Sequence, residues 1–306
     1  MTSAPHDLTV RALGEADAHL FRTMDDPGLV GRVVTGVDYR TRGEGGDYDP
    51  AWSWVALRGG RVVARAAWWG GPDDDEPVNL NWFDVGEDDI EAGVALLRQA
   101  PYDVEYELIL PADWQERPDA RAAAQARMEA ARQAGMRRLV ARFRYRWTPA
   151  DGLPARPGRL VFRPEPDDAV VLDVLRRVHA VTLDAHALQA VEEGGLNRAA
   201  QAELDFFHWC PSPREWLRLA YTPGGEPVGI AFPAYNHTGP VVGFIGVVPE
   251  QRGRGYAYDL LAESTHFLVE QGAEYVLADT DETNVPMAAN FTKAGYPVVQ
   301  KRVHFV

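Results

Sequence analysis

Two stretches far apart in this chain can be written one over the other: EAARQAGMRRLVARFRYRW, ending at Trp147, and AANFTKAGYPVVQKRVHFV, ending at Val306. Each reads as the end of a helix, a stopping glycine (Gly135 or Gly295) and a closing strand. The elements before them also run in one order. In the first half Leu8–Ala12 and a helix around Ala16–Met24 come first. A hairpin of Ser53–Leu57 and Arg61–Trp69 turns at Arg58-Gly59-Gly60. Then come a strand Asn79–Val85, a helix Asp89–Gln99, a strand Glu105–Leu110, a helix Ala120–Ala134 and a strand Leu139–Trp147. The second half gives a strand Arg159–Phe162, a helix Asp167–Leu188, strands Trp216–Tyr221 and Val228–Pro233 about Pro223-Gly224-Gly225-Glu226, and a strand Val241–Val248. A helix Tyr256–Gln271, a strand Tyr275–Asp279, a helix Pro286–Ala294 and a strand Val298–Phe305 follow. Hairpins early and helical crossovers late predict a mixed α/β sheet in each half. The Pro- and Gly-rich TPADGLPARPG between them predicts a linker. The expected domains are residues 1–150 and 158–306, joined by 151–157.

Composition bounds the function. A chain of 306 residues, 46% hydrophobic and 25% charged, is long enough for two ordinary globular domains. No apolar run approaches the ~18 residues of a membrane span, and the N-terminus lacks the charge and apolar pattern of a signal peptide. Cys210 is the single cysteine, which excludes a disulfide framework and points to a reducing cytoplasm. The net charge of −14 argues against a nucleic-acid binder, whose affinity rests on neutralising phosphates. The acidic run GPDDDEP reads as a solvated loop rather than a cation site, and no metal is expected.

One stretch has no counterpart in the first half: GFIGVVPEQRGRGYAYDLL, Gly243 to Leu261. Glycines after a strand let the backbone turn tightly and present its N–H groups, and the following helix adds its unpaired amides and positive end. Arg252 and Arg254 bring charge to the same point. This predicts an anion cradle suited to a pyrophosphate. A P-loop requires Lys and Ser or Thr after its last glycine, whereas Tyr256-Ala257 follows Gly255. A dinucleotide fold requires a third glycine after its first strand, which Gly253-Arg254-Gly255 lacks, although Asp279 falls at about the right distance for a ribose contact.

The stretch resembles the acetyl-CoA motif of the GNAT superfamily of N-acetyltransferases, Q/R-x-x-G-x-G/A, with Arg252, Gly255 and Ala257 in its fixed positions and Val247-Val248-Pro249-Glu250 ahead of it. Asn284 and the ending Gly295-Tyr296 extend the likeness over about Arg159–Val306, and the repeated element order implies a tandem, two-domain member. The resemblance implies that Ile245, Gly246 and Val247 pair with the pantetheine arm, that Arg252, Gly253, Arg254, Gly255, Tyr256 and Ala257 hold the pyrophosphate, and that Asn284 and Phe291 also meet acetyl-CoA. It implies transfer of an acetyl group to a primary amine of a small molecule. Asp279 stands where several members carry a catalytic carboxylate, or else it caps the turn into Thr280–Asn284. Glu203 and His208 stand where members often bind substrate, or else they are structural. Phe291 replaces the tyrosine that commonly protonates the departing thiolate, which leaves Tyr256 or Tyr258 as substitutes, or a thiolate that departs towards solvent. Cys210 beside His208 raises a covalent alternative, against which a buried inert thiol is the expectation.

In the first half the corresponding loop is Gly86-Glu87-Asp88-Asp89, whose carboxylates repel a pyrophosphate. The first domain is therefore expected to keep the fold without the cofactor. A non-catalytic acyl-CoA-binding protein, or an enzyme acylating a carrier-bound or hydroxyl substrate, stays open, as does a monomer or a homodimer.

Overall fold

The computed structural model describes residues 8–25, 28–71 and 74–306; the GPDDDEP run falls partly outside them. Two compact units are present, and neither follows the chain simply. One comprises residues 1–141 with Gln300–Val306, the other Arg142–Val299. The division therefore differs from the expected break at 151–157. Each half of the chain contributes its last strand to the other unit.

In the first unit the strands are β1 (Leu8–Ala12), β2 (Tyr48–Arg58), β3 (Arg61–Trp69), β4 (Asn79–Val85) and β5 (Tyr106–Pro111). They run β1-β2-β3-β4-β5, and the C-terminal strand, Val298–Phe305, adds antiparallel to β5 from Gln300 to Phe305. Only β4 and β5 are parallel, and they meet at a single pair, Leu80 opposite Tyr106. Helices α1 (Ile90–Gln99) and α2 (Pro118–Ala134) cover one face, where Ala92, Leu96, Ala120, Ala124 and Ala131 are buried against Phe83 and Leu108. The small alanines let α2 lie close to the sheet. The other face holds an aromatic cluster of Phe21, Tyr39, Tyr48 and Trp82.

The second unit begins with β6 (Arg138–Trp147), whose Arg142–Trp147 pairs antiparallel with β11 (Val276–Asp281). The remaining strands are β7 (Val161–Pro164), β8 (Arg218–Tyr221), β9 (Pro227–Asn236) and β10 (Gly239–Val247), in the order β6-β11-β10-β9-β8-β7. One face carries α5 (Tyr256–Glu270) and α6 (Val285–Lys293), burying Tyr258, Leu261, Phe267 and Phe291. The opposite face carries α3 (Asp168–His179) and α4 (Ala185–Trp209), burying Val171, Leu175, Val178, Leu204 and Phe207.

The expected helix Asp167–Leu188 is two helices. The chain leaves α3 at Ala180 and re-enters a helix capped by Asp184, whose carboxylate accepts from the Ala187 amide at 2.9 Å. The long helix α4 is absent from the sequence reading, which assigns no element between Leu188 and Trp216. Gly194-Gly195 breaks its apolar period, and the backbone there leaves helical geometry, with Gly195 at φ 76°.

Candidate functional site

Past Val241, which faces Leu277, β10 and β11 have no further register pair. A bulge at Gly243, between Val242 and Phe244, turns β10 away. Its other edge stays bonded to β9, with Ile245 opposite Ala231 and Gly246 opposite Ile230. The β11-facing edge of Phe244–Val247 thus presents backbone groups to an open wedge, which is what an added extended chain pairs with. α3 closes one side of the wedge: a Cβ on Gly246 would lie 2.6 Å from a Val178 methyl, so only glycine fits there.

The loop after β10 makes one 3-10 turn, Pro249–Gln251, and reaches α5 through Gly253 and Gly255, both at φ 77°. That left-handed geometry is strained for a residue with a side chain. It also aims successive amides outward. The Gly253, Arg254 and Gly255 N–H groups have no acceptor among the described residues, and the first amides of α5 have none within the helix. These are donors for an anion with no partner in the fold. A Cβ on Gly253 would meet open space. The residues present therefore fit a bound pyrophosphate.

The two arginines of the loop do different things. Both are exposed, but Arg252 also gives Nε to the Val247 carbonyl at 3.2 Å and Nη1 to the Val181 carbonyl. Arg252 thereby ties the α3–α4 connection to the end of β10, and its partial burial lowers its pKa. A brace unforeseen in the sequence is Arg159. Its guanidinium pairs with Asp259, donates Nη1 to the Arg254 carbonyl at 3.1 Å and lies over the Tyr256 ring at 5.0 Å. The Asp259 pairing raises the Arg159 pKa.

The acetyltransferase (GNAT) family matches residues 185–296, the segment that holds this wedge and loop. The second unit carries a GNAT-family acetyltransferase domain. Solved structures show the same fold over the whole chain. A GCN5-related N-acetyltransferase from Sphaerobacter thermophilus is 17% identical, with 99% of this chain and 96% of that one covered, at a TM-score of 0.60. A glucosamine N-acetyltransferase region of a fungal multi-domain β-N-acetylglucosaminidase is 15% identical over 99% of this chain and 38% of that one, at 0.56. A GNAT-family acetyltransferase from Colwellia psychrerythraea is 12% identical over 97% and 98%, at 0.50. No curated protein matches the sequence.

Other expected residues of the GNAT domain have different positions. Asp279 forms an ion pair with Arg144, directly opposite it on β6. Asp281, two residues on and on the same face, is buried; it accepts from Arg142 Nε and from the Ala185 amide, each at 2.7 Å. Arg142 also pairs with Asp184. This cluster pins the start of α4 to β11. Its signal was the i, i+2 alternation of Arg142/Arg144 against Asp279/Asp281. Asn284 caps α6, its side chain accepting from the Met287 amide at 3.3 Å. Phe291 is 2% exposed and stacks on Tyr145 with centroids 4.3 Å apart, on the α5–α6 face. Tyr258 is buried and Tyr256 half-buried. His208 stands at the surface with Asp168 and Arg214, away from Glu203. Burial pushes the Cys210 thiol up to about 11, with the Glu203 charge adding to the effect, so it stays an unreactive thiol at neutral pH.

In the first unit the matching edge is closed. β4 is buried from Leu80 to Val85. Arg127 of α2 gives Nε to the Phe83 carbonyl at 3.0 Å and Nη2 to Asp84 at 2.6 Å, and Arg65 and the Trp82 ring N–H reach the same carboxylate. Burial pushes the Asp84 pKa up, but the two guanidiniums outweigh it and hold it below the usual range.

Proposed function

We propose that the second unit transfers an acetyl group from acetyl-CoA to the primary amine of a small molecule. The observation that carries this is the run of amides from Gly253 to Ala257, unpartnered at the head of α5 beside an open strand edge. In this reading those amides and Arg254 hold the pyrophosphate, with Arg252 and Arg159 fixing the loop's shape. The Ile245–Val247 edge receives the pantetheine amides. Bound acetyl-CoA supplies the thioester carbonyl. The protein positions the amine against it and takes its proton. Asp279 is committed to Arg144, so it serves to position β11 and is a poor proton acceptor. Tyr256, the donor that the resemblance offered, starts α5 at the pyrophosphate end of the cofactor with Arg159 over its ring, so in this reading the leaving sulfur takes its proton from the amine itself. The first unit acts as a cofactor-free partner domain, since Asp84 and Arg127 occupy the edge that a pantetheine would need. A reducing cytoplasm suits the single buried thiol. No helix among the described residues is long and apolar enough to cross a membrane.

Acetyl-CoA titration by calorimetry tests the reading, with Gly255→Glu as control. Glutamate there forces a side chain onto a left-handed backbone and sets a carboxylate among the amides, so binding is expected to vanish. Wild-type protein that does not bind acetyl-CoA, or Gly255→Glu that binds it equally well, would contradict the assignment. Binding with no turnover across a panel of amines would favour a non-catalytic acyl-CoA-binding protein.

A further inference from the structure

On the α3–α4 face of the second unit, two polar side chains face each other without a partner. His179, the last residue of α3, has a side chain only 1% exposed, and neither ring nitrogen has a hydrogen-bond partner. A buried imidazole left so is costly and signals a missing ligand or water. Glu203, on α4, has its carboxyl 4.0 Å from His179 Nε2 and is one-fifth exposed. It makes no hydrogen bond among the described residues. A nitrogen atom about 2.9 Å from both groups spans that gap.

The pair also lies at the wedge. The His179 ring packs 5.9 Å from that of Phe244, the residue just past the β10 bulge, and the neighbouring Val178 covers Gly246. We propose that Glu203 and His179 form the acceptor subsite of this domain, where Glu203 takes a proton from a primary ammonium and His179 holds its nitrogen. The proposal rests on the acyltransferase reading above and adds the proton acceptor that Asp279 does not provide.

The titratable and charged groups around the carboxyl suit that task. His179 faces it from α3, Asp184 from the connection before α4, Arg142 from β6 and Cys210 from the end of α4. Burial, with the Asp184 charge adding to it and Arg142 opposing, pushes the Glu203 carboxyl up to about 8. Burial holds His179 below its usual value, so the ring is neutral at pH 7 and offers a nitrogen lone pair. An arriving ammonium favours the carboxylate, and Glu203 gives its resting proton to solvent. One N–H bond of the ammonium then breaks, its electron pair stays on nitrogen, and the proton forms an O–H bond on Glu203. The nitrogen gains the acyl carbon and loses a second proton to the departing thiolate, so each turnover releases one proton, the one Glu203 carries. A base with a pKa near 8 is matched to neutral pH.

The test is calorimetry of n-butylammonium chloride into the full chain at pH 7, without CoA and with saturating CoA. Phosphate and MOPS buffers, which differ in ionisation enthalpy, report protons. With the carboxyl raised to about 8, most of a proton should leave per amine bound. Glu203→Gln should bind with no release, and Glu203→Asp should restore part of it. Equal release from wild type and Glu203→Gln would overturn the proposal, as would no butylammonium binding under either condition. Acetyl-CoA titrated in parallel separates the two readings. Failure of the amine alone sinks the subsite, and failure of acetyl-CoA sinks the transferase.

Discussion

At the scale of single residues, the arginines of the second unit's sheet and loop separate from its candidate ligand groups. Arg142, Arg144 and Arg159 are all committed to carboxylates, whereas Glu203 and the loop amides are not. Glu203 has a consequence for stability. Its folded pKa stands well above that of an unfolded glutamate, so between about pH 5 and pH 8 the folded state binds more protons than the unfolded one. The stability this group contributes is complete below its unfolded value and is lost as pH rises through about 8. Denaturant midpoints should therefore fall from pH 5 to pH 8 in the wild type and fall less in Glu203→Gln; identical slopes would remove Glu203 from the account. The sequence showed which residues form the loop, because glycine spacing is a local property. It could not show that Arg252 is spent on two carbonyls or that Phe291 lies inside the core. Both depend on packing against residues distant in the chain.

At the scale of elements, the helices are held by their ends. α6 is nine residues long and depends on the Asn284 cap. Asn284→Ala should lower stability by about 1 kcal/mol, read as a fall in thermal midpoint. Acetyl-CoA affinity should be unchanged if the cap is the whole role. A loss of affinity at unchanged stability would instead assign Asn284 to the cofactor. Most strands were legible because their two-residue alternation survives in isolation, as in Asn79–Val85 and Val241–Val248. The helix α4 was not, since Gly194-Gly195 divides its pattern and Leu188, Leu196 and Trp209 are exposed apolar residues that blur its face. That helix bears Glu203, which the resemblance offered as a substrate residue, but the His179 that faces it gave no signal in the sequence.

At the scale of the whole molecule, duplication and strand exchange together decide what can fold alone. The linker at 151–157 is a natural place to cut by composition, yet a fragment of residues 158–306 lacks the β6 strand that pairs with β11. It also carries Gln300–Val306, which belongs to the other unit. That fragment is expected to be unfolded or aggregated by circular dichroism, whereas residues 138–299 retain a complete sheet and should fold. A well-folded 158–306 would show that the exchange is dispensable. The exchange was illegible because the two closing strands carry the same alternation, which does not say which sheet each joins. The duplication itself was plain, and so was the difference between the two loops: acidic residues stand in the first half where the second has its glycines, and Arg127 with Asp84 fills the edge behind them. The central claim is one acetyl-CoA site in a chain with two such folds, and the stoichiometry of acetyl-CoA binding tests it most directly. Calorimetry on the full chain should give one molecule per chain, abolished by Gly255→Glu; two per chain, or one that persists in that variant, would contradict it.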